Sequence, residues 1–132
     1  MNPAYPAVAD RAGHRCEYCH APEATFNFRL EVEHILPTTR GGRQGLENLA
    51  LSCRACNLFK SDAVTAIDSL SGKSVRLFDP RVDRWQEHFG PTIHGEIIGL
   101  TETGRASVER LRFNTPGQIA ARLLWMTFGL FP

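Results

Sequence analysis

Apolar and polar residues alternate most regularly over Phe28–Ile35, with the period of two that is typical of a β-strand. The alternation places Phe28, Leu30 and Val32 on one face and Arg29, Glu31 and Glu33 on the other. Strict continuation would place His34 with the apolar set, so we expect the strand to bend near its end. Pro37 ends the strand, and the composition of residues 38–42 predicts a loop.

The pattern around this strand predicts three further segments. Residues 46–51 are expected to form a short second strand, and a helix is expected to begin near Cys53 and to reach about Leu70. Residues 1–13 contain Pro3 and Pro6, which disfavour a helix, so we expect an extended N-terminal segment. The central order is therefore strand, loop, strand and helix.

The C-terminal third has a weaker pattern. Residues 77–89 predict a turn and then a short helix that carries Trp85, the structural candidate His88 and Phe89 on one side. Residues 96–101 predict a strand, and Thr103 is a candidate N-cap for the helix that follows.

Residues 119–131 predict an apolar helix at the C-terminal end. The segment is shorter than the roughly 20 residues that span a bilayer, so no membrane partner is expected. We expect it to pack on the core. The alternative is an exposed apolar face that binds a second copy, as a homodimer, or a protein partner.

The composition is that of a soluble globular protein of one domain. The chain has 132 residues, of which 42% are hydrophobic and 22% charged. It divides into an extended N-terminal segment (1–13), a core (14–70) and a C-terminal extension packed on the core (71–132). Residues 1–11 have neither a basic start nor an apolar run, so we expect no export and a cytoplasmic location.

The net charge of +1 hides a local basic region. Residues 36–60 contain four cations against the single carboxylate of Glu47, and these cations are Arg40, Arg43, Arg54 and Lys60. A basic patch of this kind is typical of contact with nucleic-acid phosphates. For each cation, a solvated surface role is the alternative.

The four cysteines form two Cys-x-x-Cys pairs, Cys16 with Cys19 and Cys53 with Cys56. In a reducing compartment such pairs indicate metal ligands, and four thiolates favour a closed, structural zinc site. The 33 residues between the pairs exceed the usual spacing of roughly 15–20, which indicates that the zinc closes a loop with its own role. Two disulfides or four unrelated thiols are the alternatives, and His14 and His20 are substitute ligands.

Five short motifs occur in a fixed order, and together they resemble the HNH endonuclease family over residues 14–62. They are the first Cys-x-x-Cys pair, Glu33-His34-Ile35-Leu36-Pro37, Gly41-Gly42, Glu47-Asn48-Leu49, and the second pair followed by Asn57 and Lys60. The resemblance implies an α+β fold: a ββα-metal (His-Me finger) core with a four-cysteine zinc knuckle pair. The pattern of residues 71–132 adds a C-terminal α/β extension.

The resemblance also implies an activity, the cleavage of DNA phosphodiester bonds with a divalent metal, Mg²⁺ or Mn²⁺. His34 would activate water, which suits histidine because its charge changes near neutral pH. Glu33 and Asn57 would supply oxygen ligands to the catalytic metal, and Asn48 would orient the histidine and brace the loop. The family more often has Asp at position 33 and often His at position 57, so the choice of metal stays open.

Two other functions compete with a metal-dependent DNA endonuclease. A catalytically inactive, zinc-dependent nucleic-acid-binding module would not need a base beside a carboxylate. A structural interaction protein that uses the apolar C-terminus would leave the polar cluster unexplained. At single residues the alternatives are a surface carboxylate at Glu33, a turn-bridging amide at Asn48 and a helix-start residue at Asn57.

Overall fold

A two-stranded β-hairpin packed against two helices forms the first half of the protein. In the computed structural model, which describes residues 1–132, β1 (Glu31–His34) pairs antiparallel with β2 (Leu49–Ser52). Helix α1 (Tyr5–Ala12) contacts both strands, and α2 (Arg54–Lys60) contacts β1. His34 remains in register opposite Leu49, so the strand continues to the histidine. This order of elements, and the presence of both helices and short antiparallel strands along the whole chain, confirm the predicted α+β class.

The N-terminal segment is helical, which corrects the prediction of an extended segment over residues 1–13. Pro6 lies in the first turn of α1, where a backbone N–H has no partner within the helix and where the φ of proline fits. Gly13 ends the helix in the left-handed conformation, with φ of 64°. The buried side chains of Val8 and Ala9 anchor the helix in the core.

Helix α2 is shorter than the sequence pattern predicts. Cys53 is its N-cap, and the thiol sulfur accepts the N–H of Cys56. The helix ends before Ser61, which adopts a positive φ of 51° that an α-helix does not allow.

The segment expected to continue α2 instead forms a second hairpin. Strand β3 (Thr65–Ile67) pairs antiparallel with β4 (Ser74–Arg76). This hairpin crosses the boundary predicted at residue 70, so the core and the extension do not separate there.

The rest of the extension consists of short elements close to those predicted. They are α3 (Trp85–His88), β5 (Phe89–Pro91), β6 (Ile97–Gly99), α4 (Glu102–Arg110) and α5 (Pro116–Thr127), with β5 and β6 paired antiparallel. The N-cap of α4 is Thr101 and not Thr103, because the Thr101 hydroxyl accepts the N–H of Gly104 at 3.0 Å. None of the helices has the length and apolar character that a membrane span requires.

One apolar core joins the hairpin of β1 and β2 to the extension. A single cluster of buried residues includes Leu51 from β2 together with Phe89 and Phe113 from the extension. The indole N–H of Trp85 also donates to the carbonyl of Tyr18 at 2.8 Å. The extension is therefore part of the core that supports the first half of the chain.

Candidate active site

Four buried cysteine side chains converge between the first Cys-x-x-Cys turn and the start of α2. The sulfurs of Cys16, Cys19, Cys53 and Cys56 all lie within 4.8 Å of one another, and none forms a disulfide. The sulfurs of Cys19 and Cys53 are 3.7 Å apart. Four sulfurs that surround zinc at about 2.3 Å in a tetrahedron are about 3.8 Å apart. The cluster therefore fits a metal ion, and its all-thiolate donors favour zinc.

Each Cys-x-x-Cys turn directs a backbone N–H at its first sulfur. The N–H of Cys19 points to Cys16 Sγ at 3.5 Å, and that of Cys56 points to Cys53 Sγ at 3.4 Å. Hydrogen bonds with Cys16 and the other thiols lower the pKa of Cys53 and raise that of Cys19. A dication among the thiols would stabilise all four in the ionised form.

The two candidate substitute ligands lie outside the cysteine cluster. His14 Nδ1 contacts Glu23 Oε1 at 2.7 Å. The His20 ring stacks on Trp85 with 4.0 Å between ring centroids, and burial lowers the pKa of His20 to about 4. Neither histidine belongs to the group of metal-binding side chains.

Three of the residues predicted to act in catalysis line one open cleft of about 280 Å³. Strand β1 supplies Glu33 and His34, and α2 supplies Asn57. The rim comes from the loop after β1 and from Ser61. The hairpin and α2 therefore bring together side chains that are more than 20 residues apart in the sequence.

The Glu33 carboxylate is buried at the edge of this cleft, with 5% of the residue exposed. It accepts hydrogen bonds from the Tyr18 hydroxyl and from Lys60 Nζ, the latter at 3.3 Å. Burial raises the pKa of Glu33, and the Lys60 and Tyr18 contacts act against this rise. A carboxylate has about four acceptor positions, so the two internal donors leave positions for a further partner in the cleft.

Lys60 is an internal residue, with 2% of its surface exposed. Besides Glu33, its ammonium donates to the carbonyls of Ile35 at 2.9 Å and His34 at 3.4 Å. These three acceptors use all the donors of the ammonium group, so the prediction that Lys60 contacts nucleic acid is wrong. Lys60 follows Asn57 by three residues, and residues i and i+3 share a helix face. The sequence therefore already indicated that Lys60 faces β1 together with Asn57.

The His34 ring makes a contact that the sequence patterns do not predict. Its Nε2 lies 2.8 Å from the side-chain oxygen of Gln44, in the loop between the strands. An amide oxygen only accepts, so Nε2 carries the proton and Nδ1 is the unprotonated nitrogen of the neutral ring.

Asn48 braces the loop that connects β1 and β2. Its Oδ1 accepts the N–H of Leu36 at 2.8 Å, and its Nδ2 donates to the carbonyls of Leu36 at 2.9 Å and Arg43 at 2.8 Å. At Gly42 the loop passes so close to the Leu36 carbonyl that a Cβ would lie 1.7 Å from this oxygen. Asn48 and Gly42 thus fix the chain that leaves His34.

Asn57 lies in the interior of α2, four residues after the N-cap. Its Nδ2 is 3.5 Å from Glu31 Oε2, a β1 carboxylate two residues before Glu33. The Asn57 amide nitrogen is therefore directed at Glu31, and Oδ1 makes no hydrogen bond within the protein. The period of two along β1 predicts that Glu31 and Glu33 share one face of the strand, and this is the face that Asn57 contacts.

The three arginines predicted to bind nucleic acid are exposed. Arg40 is paired with Asp62, whose carbonyl accepts from Nε at 2.8 Å. The guanidinium groups of Arg43 and Arg54 make no hydrogen bond within the protein. All three are accessible to a ligand at the surface.

Comparison with known proteins identifies the segment that carries this site. Residues 16–63 match the family model described as HNH endonuclease. The matched segment contains both cysteine pairs, the hairpin of β1 and β2, and α2. No curated protein and no solved structure matched the chain.

Proposed function

We propose that the protein is a metal-dependent endonuclease that hydrolyses DNA phosphodiester bonds, and the match of residues 16–63 to the HNH endonuclease family model supports this. The observation that carries this proposal is the placement of His34, Glu33 and Asn57 around one open cleft. A module that only binds nucleic acid has no use for a histidine with a free ring nitrogen beside a carboxylate.

In the proposed reaction His34 is the general base. Its Nδ1 accepts the proton of the attacking water, while Gln44 holds the opposite nitrogen. The loop braced by Asn48 keeps the ring in this orientation. Lys60 binds the carbonyl of the same histidine and so fixes the end of β1.

Glu33 and Asn57 would hold the catalytic divalent metal. A carboxylate and an amide oxygen are hard donors that suit Mg²⁺ or Mn²⁺. When bound, such an ion polarises the phosphoryl group and stabilises the leaving oxygen. Lys60 favours the ionised form of Glu33 that metal binding needs, because its ammonium group lies 3.3 Å from the carboxylate.

We assign the cysteine cluster to a structural zinc ion and the exposed arginines to DNA phosphates. The zinc would take no part in the chemistry, because four thiolates leave no open position for water. Cys56 is a ligand candidate and directly precedes Asn57, so the ion would hold this side of the cleft in place. Arg40, Arg43 and Arg54 would contact the DNA backbone.

A plasmid-nicking assay with Mg²⁺ or Mn²⁺ tests the proposal. The wild type should convert supercoiled plasmid to nicked circles, and His34→Ala should reduce the rate by about 10²- to 10⁴-fold. His94→Ala is the matched control, because His94 is exposed in the turn between β5 and β6. If the wild type cuts no better than His34→Ala at equal zinc content and folding, the nuclease proposal fails. Retained DNA binding would then favour the inactive binding module.

A further inference from the structure

An apolar pocket of about 480 Å³ lies between α2 and α5. We name it the α2–α5 pocket. Its aromatic lining comes from Phe26, Phe59 and Trp125, and Ala55, Leu58 and Ala121 complete the apolar part. We propose that this pocket is a subsite for an unstacked nucleobase of the DNA strand. The inference rests on the proposed function only in taking DNA as the ligand.

The pocket is continuous with the catalytic cleft around the surface of α2. Arg54 and Leu58 line the α2–α5 pocket and also a shallow depression next to it. Asn57 and Ser61 line that depression and also the catalytic cleft. A helix with side chains is about 10–12 Å across, so a few nucleotides at about 3.4 Å per step cover the distance.

The charges around the pocket fit a nucleotide. No carboxylate lines it, whereas Arg54 does, and the adjoining depression has one carboxylate, that of Glu31. A second guanidinium group, that of Arg112, lies over the Phe59 ring at 4.6 Å from the centroid. Aromatic walls with adjacent cations are the combination that binds single-stranded nucleic acid, through base stacking and phosphate contact.

A polar side chain in the lining could contact the edge of a base. Gln118 belongs to the lining, and its side-chain amide makes no hydrogen bond within the protein. An amide offers one donor group and one acceptor, as a base edge requires. A purely apolar peptide would leave this amide and the two arginines without partners.

The test compares two fluorescent single-stranded oligonucleotides of equal length, one with thymine bases and one with abasic residues. Both carry the same phosphates, so backbone contacts cancel in the comparison. Binding is measured by anisotropy in the His34→Ala background, where no cleavage is expected. We expect the base-bearing strand to bind at least tenfold more tightly.

Filling the pocket should remove this preference. Ala121→Phe projects a ring into the pocket, and Ala120→Phe is the matched control because Ala120 is exposed on the same helix and is not part of the lining. Ala121→Phe should bind both strands equally, and Ala120→Phe should keep the preference. If Ala121→Phe lowers the circular dichroism, Ala121→Leu, which intrudes less, replaces it.

Two results would overturn the subsite. One is equal affinity of the unfilled protein for both strands. The other is a preference that survives in the folded pocket-filling variant. The oligomeric state of the same samples is measured by sedimentation. If the protein is a dimer and only the pocket-filling variant is a monomer, the pocket binds a second copy of the chain, and the nucleobase subsite is overturned. A preference for bases without any wild-type cleavage would refute the nuclease and leave the subsite standing.

Discussion

At the scale of single residues, Lys60 shows how burial changes the role of a charged side chain. An ammonium group is costly to bury unless acceptors replace its water. Here the carboxylate of Glu33 and the carbonyls of His34 and Ile35 do so. The lysine therefore holds both candidate catalytic residues of β1 from the side of α2.

We predict that Lys60→Met destabilises the fold by about 3–5 kcal/mol, because it leaves the Glu33 carboxylate buried without a counter-ion. Burial raises the pKa of Glu33 and Lys60 lowers it, so the substitution raises it further. A carboxyl whose pKa is higher in the folded than in the unfolded chain loses stability as the pH rises through the folded value. Urea unfolding should therefore show a larger loss of stability at neutral pH than near the ordinary carboxyl pKa, at about pH 4 to 5.

The double variant Glu33→Gln/Lys60→Met is the control for this prediction. It removes both charges, so it should recover most of the stability and lose the pH dependence. It should remain inactive in the nicking assay, because Glu33 is also the proposed metal ligand. If the single and the double variant lose the same amount of unfolding free energy relative to the wild type, Lys60 and Glu33 do not form a buried ion pair.

Motif spacing found the cysteines and the residues around the cleft, because these residues occur in a recognisable order. It missed Tyr18, Gln44 and Glu31, whose partners lie 15, 10 and 26 residues away in the sequence. Such contacts depend on how the turn, the loop and α2 approach β1. The period of two along β1 places Glu31 on the same face as Glu33, but no local pattern encodes which element approaches that face.

At the scale of elements, the hairpin and α2 are too short to be stable alone. Each strand of the hairpin has four residues and α2 has seven. Isolated helices below about 12–15 residues and isolated hairpins are marginal in water. The cysteine cluster joins the turn before β1 to the start of α2, so a bound zinc would supply the missing constraint.

We predict that complete zinc removal unfolds residues 14–62 together, and with them the extension that shares their core, because binding of a structural metal is coupled to folding. Circular dichroism during chelation should fall in proportion to the zinc released, and Cys56→Ser should behave in the same way without chelator. Cleavage should disappear along the same curve. Native circular dichroism in the fully zinc-free protein would contradict the prediction.

Asn48→Ala tests the brace on the loop after His34. The substitution removes three hydrogen bonds to the loop backbone. We expect the free energy of unfolding to fall by about 1–3 kcal/mol. We also expect kcat to fall by a larger factor than KM changes, because the histidine is less well placed. Asn27→Ala is the control, since Asn27 is exposed and its side chain makes no hydrogen bond. An unchanged kcat would show that the hydrogen bonds of Asn48 do not position His34.

The elements that sequence patterns misplaced have local explanations. Pro6 disfavours a helix at most positions, but the first turn of α1 accepts it. The continuation of α2 to about Leu70 failed because the backbone of Ser61 turns to a positive φ and Thr65–Ile67 pairs with β4. Pairing between strands competes with helix propensity, and a short apolar segment does not show which of the two prevails.

At the scale of the whole molecule, the extension and the segment of residues 16–63 share their interior. The buried cluster runs from Val8 in α1 to Trp125 in α5. Polar contacts cross the same boundary: Arg15 donates to the Leu130 carbonyl at 2.5 Å, and Arg110 donates to the Phe59 carbonyl at the end of α2 at 3.0 Å. A segment without assigned chemistry thus closes the core that supports the cleft.

We therefore predict that the chain unfolds in one transition. Both tryptophans, Trp85 and Trp125, lie in the extension, whereas the four cysteines lie within residues 16–63. Tryptophan fluorescence reports on the extension and on the contact of Trp85 with Tyr18 and His20, and zinc release to a chromogenic chelator reports on residues 16–63. Because the two parts share one core, the two urea curves should have the same midpoint. A fragment of residues 1–70 should lack a cooperative transition even with zinc. Separate midpoints, or a fragment that folds and cuts DNA alone, would show that the extension is an independent unit.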